Sequence, residues 1–89
     1  MSDATVSEAR AAIDRVDREL LAAFNRRLDL VRALHEHKLA TGLDRHDPGR
    51  EESMLASLEA ANDGPLSAAG VSELFRYVLD LTRRELHGE

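Results

Sequence analysis

The chain has 89 residues, a formal net charge of −5 and no cysteine. That length allows one domain with a marginal core. Without disulfides or Cys/His metal spacing to reinforce it, association with another chain is the remaining staple. The acidic balance argues against a nucleic-acid groove, and neither a signal sequence nor a long apolar run marks a membrane route, so the reading is a cytoplasmic protein that meets small molecules or other proteins.

Alanine, leucine, glutamate and arginine dominate, aromatic residues are only 3%, and both prolines fall between periodic segments. This predicts an all-α chain, a single domain over residues 1–89 with one long and two shorter helices. The first helix is expected over about residues 5–40, opening at Thr5-Val6-Ser7-Glu8, which has capping-box spacing, and stopping ahead of Gly42. The second is expected over about 48–61, with Asp47 as N-cap, Pro48 at N1 and Met54, Leu55 and Leu58 on its buried face. "ANDGP" ends it, and the third follows over about 67–87 from a Ser67 cap, with Val71, Leu74, Phe75, Val78, Leu81 and Leu86 on its inner side.

Steps of three and four along the first helix give Arg10, Ile13, Val16, Leu20, Phe24, Arg27, Val31, Leu34 and Lys38, so three cations fall on the apolar stripe. Each alone is readable as a long side chain snorkelling from an interface edge. Three on one stripe point to an anionic ligand, because desolvated cations are costly and the stripe offers few carboxylates besides the neighbouring Asp17. Arg27 and Lys38 lie about 16 Å apart along the axis, but Arg10 lies about 42 Å from Lys38, so one chain cannot bring all three together. Two copies of the first helix, antiparallel about a two-fold near its middle, set Arg10 of one beside the Arg27-to-Lys38 stretch of the other and create two equivalent sites.

The segment "DRHDPGREE" then does two jobs: it caps the second helix and folds that helix's start toward the pocket, where backbone N–H groups meet ligand oxygens. Asp47 is first a cap. Arg50 reads either as a solvated charge or as a pocket residue, Glu51 is placed to accept a hydrogen bond from a ligand hydroxyl, and Glu52 reads as surface. His35 and His37 point to different helical faces and read as surface residues rather than metal ligands. His46 reads as a solvated loop residue, and His87 lies in the tail.

The ordered set Arg10, Asp17, Leu20-Leu21, Arg26-Arg27, Lys38 and "DPGRE" from Asp47 to Glu51 resembles the all-helical class of chorismate mutases, over about Ser7 to Leu86. The resemblance implies an intertwined three-helix homodimer that rearranges chorismate to prephenate on the way to phenylalanine and tyrosine, with no metal or cofactor. It implies that Arg10 from the partner chain and Arg27 hold substrate carboxylates, and that Lys38 contacts a carboxylate and the ether oxygen of the breaking bond. Asp47 and Glu51 would meet the ring hydroxyl, and Arg50 would line and close the pocket. The family's serine position is Thr82 here. Its glutamine, a second donor to the ether oxygen, matches Leu86, which cannot donate.

That departure implies either that Arg83 or Glu85 reaches the ether oxygen, or that the isolated protein is weakly active until the first enzyme of the shikimate pathway docks, with "TRRELHGE" as the docking element. Relatives acting on 4-amino-4-deoxychorismate, or eliminating pyruvate from isochorismate, share the cationic cradle and stay open as alternatives. A non-catalytic helical dimerisation module is the reading from a different class.

Overall fold

The computed structural model describes residues 2–41 and 48–88. Among them are three α-helices and no strand: α1 (Asp3–Thr41), α2 (Pro48–Ala61) and α3 (Ala68–His87). The chain divides into two units, Met1–Leu34 and His35–Glu89.

In the first unit, α1 starts earlier than the Thr5 box predicts. The Ser2 hydroxyl accepts from the Thr5 amide at 3.1 Å and shares a hydrogen bond with the Thr5 hydroxyl at 2.7 Å, while the Ser2 carbonyl accepts from the Val6 amide at 3.0 Å. Serine caps as well as threonine, and capping at Ser2 also brings Asp3 into the first turn, where its charge meets the positive end of the helix dipole. Thr5 therefore sits inside the helix as the partner of the cap. With neither glycine nor proline in its interior, α1 runs uninterrupted for 39 residues. Much of its stripe is open: Ile13, Val16, Leu20 and Leu34 are each more than half exposed, as are Leu21 and Leu30 beside it, while Phe24 and Val31 are half-buried.

In the second unit, α2 and α3 pack against each other. Pro48 opens α2, a position where its missing N–H costs nothing. The expected Asp47 cap and Gly42 stop lie outside the described residues. Leu55 on α2 and Val71 on α3 are 4% and 3% exposed and form the core, each side chain stabilising by about 1.5–3 kcal/mol through burial. Met54, Leu58, Phe75, Val78, Leu79 and Leu81 are half-buried around them.

The connection is closed by Asn62. Its Nδ2 donates to the Leu66 carbonyl at 2.6 Å and its Oδ1 accepts from the Gly64 amide at 3.2 Å, so one side chain holds both arms of the turn. Ser67 then caps α3, its hydroxyl accepting from the Gly70 amide at 2.9 Å. At the far end Gly88 takes a left-handed conformation, φ 70°, and its amide reaches the Arg84 carbonyl at 3.0 Å, an ending that suits a residue without Cβ.

Three side chains differ from the sequence reading. Leu74, expected on the inner side of α3, is 47% exposed, because the face turned to α2 follows Val71, Phe75, Val78 and Thr82 and leaves Leu74 on its flank. The pattern places His35 on the surface and His87 in the tail. Instead His35 is half-buried, and the two rings meet at 4.5 Å between centroids with their planes tilted by 59°.

Candidate functional site

Of the residues expected to bind a ligand, Arg10 and Arg27 belong to the first unit and Lys38, Arg50, Glu51, Thr82 and Leu86 to the second. Arg10 is exposed, whereas Arg27 is half-buried and already engaged in a polar or electrostatic interaction within the chain. The helical backbone of α1 fixes the axial positions of both Cα atoms. What varies is only how each long side chain extends from its Cα.

Lys38 stands in the last turn of α1, where its charge complements the negative end of the helix dipole. It is half-buried and, like Arg50, has a polar or electrostatic partner. Arg50 itself is exposed in the opening turn of α2. Asp47 and His46 lie outside the described residues.

Glu51 is the best-defined member of the set. It sits in the first turn of α2, half-buried, and its Oε1 accepts a hydrogen bond from Arg83 Nη1 of α3 at 3.0 Å. A carboxylate has two oxygens and about four acceptor positions, so Oε2 keeps capacity for a ligand hydroxyl. Next to it, the exposed Glu52 makes a looser ion pair with Arg76 at 3.9 Å, and Arg76 Nε donates to Ser72 Oγ at 3.1 Å.

Thr82 is buried, 6% exposed, and its hydroxyl donates to the Val78 carbonyl at 2.6 Å. The proton of that hydroxyl is thus committed to the helix backbone. Leu86, one turn further, is half-buried and apolar. Of the two residues expected to compensate for Leu86, Glu85 is exposed on α3. Arg83 is held on Glu51, and Arg84 lies 5.8 Å over the Tyr77 ring and pairs with Asp80 at 3.1 Å. A hydrogen bond with Tyr77, then the charge of Asp80, hold the Arg84 guanidinium above its ordinary pKa.

The role of Arg83 is the feature that sequence reasoning missed. A signal existed: Arg76 and Arg83 are two turns apart on one face of α3, and Glu51 and Glu52 are adjacent acids on α2. Among the described residues, no group of three or more His, Cys, Asp and Glu side chains is placed to hold a metal ion. No helix there is long and apolar enough to cross a membrane.

The family model for chorismate mutase type II matches residues 9–86. The chain belongs to the chorismate mutase type II family. Its relatives include the bifunctional chorismate mutase/prephenate dehydratase of Neisseria gonorrhoeae, 37% identical over 70 residues, which are 79% of this chain and 19% of that protein. The chain therefore spans only about a fifth of that relative. Two solved structures of the chorismate mutase of Thermus thermophilus share 35% identity and the fold. Form II has a TM-score of 0.83, covering 88% of this chain and 89% of the other, and form I a TM-score of 0.84, covering 88% and 98%. The family match reaches all three helices and takes in every residue expected to bind a ligand, from Arg10 to Leu86.

Proposed function

We propose that this protein is a chorismate mutase, an isomerase that converts chorismate to prephenate by an intramolecular rearrangement for phenylalanine and tyrosine synthesis. Family, fold and named relatives support the activity. The observation that carries the proposal to particular residues is the uncovered apolar stripe of α1, more than half exposed at Ile13, Val16, Leu20 and Leu34 and interrupted by Arg10, Arg27 and Lys38.

A second copy of the chain is the occupant that fits this stripe. An antiparallel pair with its two-fold beside Leu21 sets the partner's Arg10 opposite Arg32, between Arg27 and Lys38, and buries the exposed leucines of both helices. The apolar seam and the pooled cations then have one cause. The cytoplasmic setting belongs to the same reading.

The chemistry follows from the reaction. One substrate breaks a C–O bond and forms a C–C bond in a single cyclic electron shift, so nucleophile and general base have no part. The protein must hold the two reacting ends in a near-attack conformer and stabilise the negative charge that grows on the ether oxygen. In this proposal Arg27 and the partner's Arg10 hold the substrate carboxylates through bidentate hydrogen bonds. Lys38 donates to a carboxylate and to the ether oxygen, where a point charge gains most as the bond breaks. Glu51 and Asp47 receive the ring hydroxyl, Arg50 closes over the pocket, and Thr82 lies beside it.

Leu86 favours one addition. With an apolar side chain where the family places a glutamine, Lys38 is left as the donor to the ether oxygen, and turnover by the isolated homodimer is expected to be low. We assign the C-terminal turn of α3 as the segment through which the first enzyme of the shikimate pathway raises it.

The test is the loss of chorismate absorbance with purified protein, prephenate being identified by its acid conversion to phenylpyruvate. Prephenate formation that rises on adding the synthase supports both statements. Formation that the synthase leaves unchanged removes the activator. No prephenate under either condition, with turnover of 4-amino-4-deoxychorismate or pyruvate release from isochorismate, replaces the substrate. Inertness toward all of them leaves the dimerisation module.

A further inference from the structure

Resting on the mutase reading, the geometry points to Arg83 as the positioning residue for Glu51: it fixes one carboxylate oxygen so that the other faces the substrate's ring hydroxyl. The pair joins residues 32 positions apart, at 3.0 Å, across the α2–α3 packing. A glutamate in the opening turn of a helix has three freely rotating side-chain bonds, and a hydroxyl acceptor is useful only in the rotamer that meets the ligand. Arg83 supplies the missing restraint through a charge-assisted hydrogen bond.

The anchoring of Arg83 is what makes this more than an ion pair on the surface. Its neighbour Thr82 is buried, with its hydroxyl tied to the Val78 carbonyl, so the Arg83 backbone is fixed at a firmly packed point of α3. Glu51 is also the more enclosed partner, its side chain 34% exposed against 71% for Glu52, whose own arginine stands at 3.9 Å. Two acids side by side on α2 are therefore treated differently by α3: one is held at hydrogen-bond distance and half-enclosed, the other is loosely paired in solvent. An exposed pair alone contributes little to stability. Arg83 on Glu51 gains its value by reducing what the substrate must organise on binding.

The opposite role, in which Arg83 occupies Glu51 and withholds it from substrate, predicts the opposite sign. The experiment compares wild type, Arg83→Met, Arg83→Lys and Glu51→Gln on chorismate and on a chorismate analogue lacking the ring hydroxyl, with thermal unfolding of each variant in parallel. Arg83→Met is expected to lower kcat/KM for chorismate about tenfold, the scale of one hydrogen bond to a charged group, and to leave the deoxy analogue unchanged. Arg83→Lys should restore part of the loss, and Arg83→Met added to Glu51→Gln should cost nothing further.

An equal loss on both substrates, an additive double variant, or a gain in kcat/KM on chorismate would overturn the assignment. If Arg83→Met unfolds, Arg83→Lys against the two substrates decides by the same contrast. A wild type inactive on chorismate fails differently: it removes the mutase reading, and the positioning role with it.

Discussion

The two units solve the same problem in different ways. Residues 48–88 bury Leu55, Val71 and Thr82 within the α2–α3 pair, close their turn with Asn62 and cap α3 at both ends. Residues 3–34 lie in one helix on which Ile13, Val16, Leu20, Leu21, Leu30 and Leu34 are largely open. The hairpin's apolar residues are answered inside the chain, and several of those on α1 stay open to solvent. Packing within the chain accounts for the apolar residues of α2 and α3, whereas those of α1 find their use in the partner and ligand proposed above.

The largest effect is expected from Leu20→Glu. Near the proposed two-fold it brings like charges of two copies together, so association and turnover are both expected to vanish while the α2–α3 packing is spared. Analytical ultracentrifugation beside the chorismate assay reads both. A Leu20→Glu protein that still dimerises and turns over would refute α1 as the seam.

Lys38→Leu separates ligand from seam. Turnover should fall about 10²–10³-fold, the usual effect of deleting a donor to developing charge, with association retained and a small loss of thermal stability, since the same charge complements the helix dipole. Kinetics and a melting curve on one sample check this. A scaffold would show the stability change with no turnover to lose.

On the hairpin side, Leu55→Ala is expected to destabilise by about 3 kcal/mol, since it empties a core of very few fully buried residues. Urea unfolding should register it as a lower midpoint. Ser67→Ala sharpens the same contrast at smaller scale: loss of the hydroxyl that accepts from Gly70 should cost about 1 kcal/mol and fray the start of α3, with turnover little changed. Amide exchange over residues 68–71 would locate the effect.

Helix existence and much of the packing were legible because they are local. The Ser67 cap, the proline at the head of α2 and the α2 core residue Leu55 each follow from spacing within a few positions. Where the reading slipped, a choice between near equals or a distant partner decided. Ser2 and Thr5 offer the same cap, and the structure uses the earlier one. Leu74 looked inward because a stripe drawn along one helix is wider than the face its neighbour covers.

The site was legible as a list of charges and not as a set of contacts. Arg27, Lys38 and Glu51 stand out as ionisable groups on faces or turns where desolvation is expected. That Glu51 meets Arg83, and His35 meets His87, depends on how separate elements pack, which no periodicity encodes.

In the proposed dimer the open stripe of α1 would also make abundance a control on rate. When each pocket needs an arginine from a second chain, turnover per molecule falls on dilution, as pairs come apart. Mixing an Arg10→Ala chain with a Lys38→Leu chain, each inert by itself, should return part of the lost turnover, since in a mixed pair one pocket receives both cations intact.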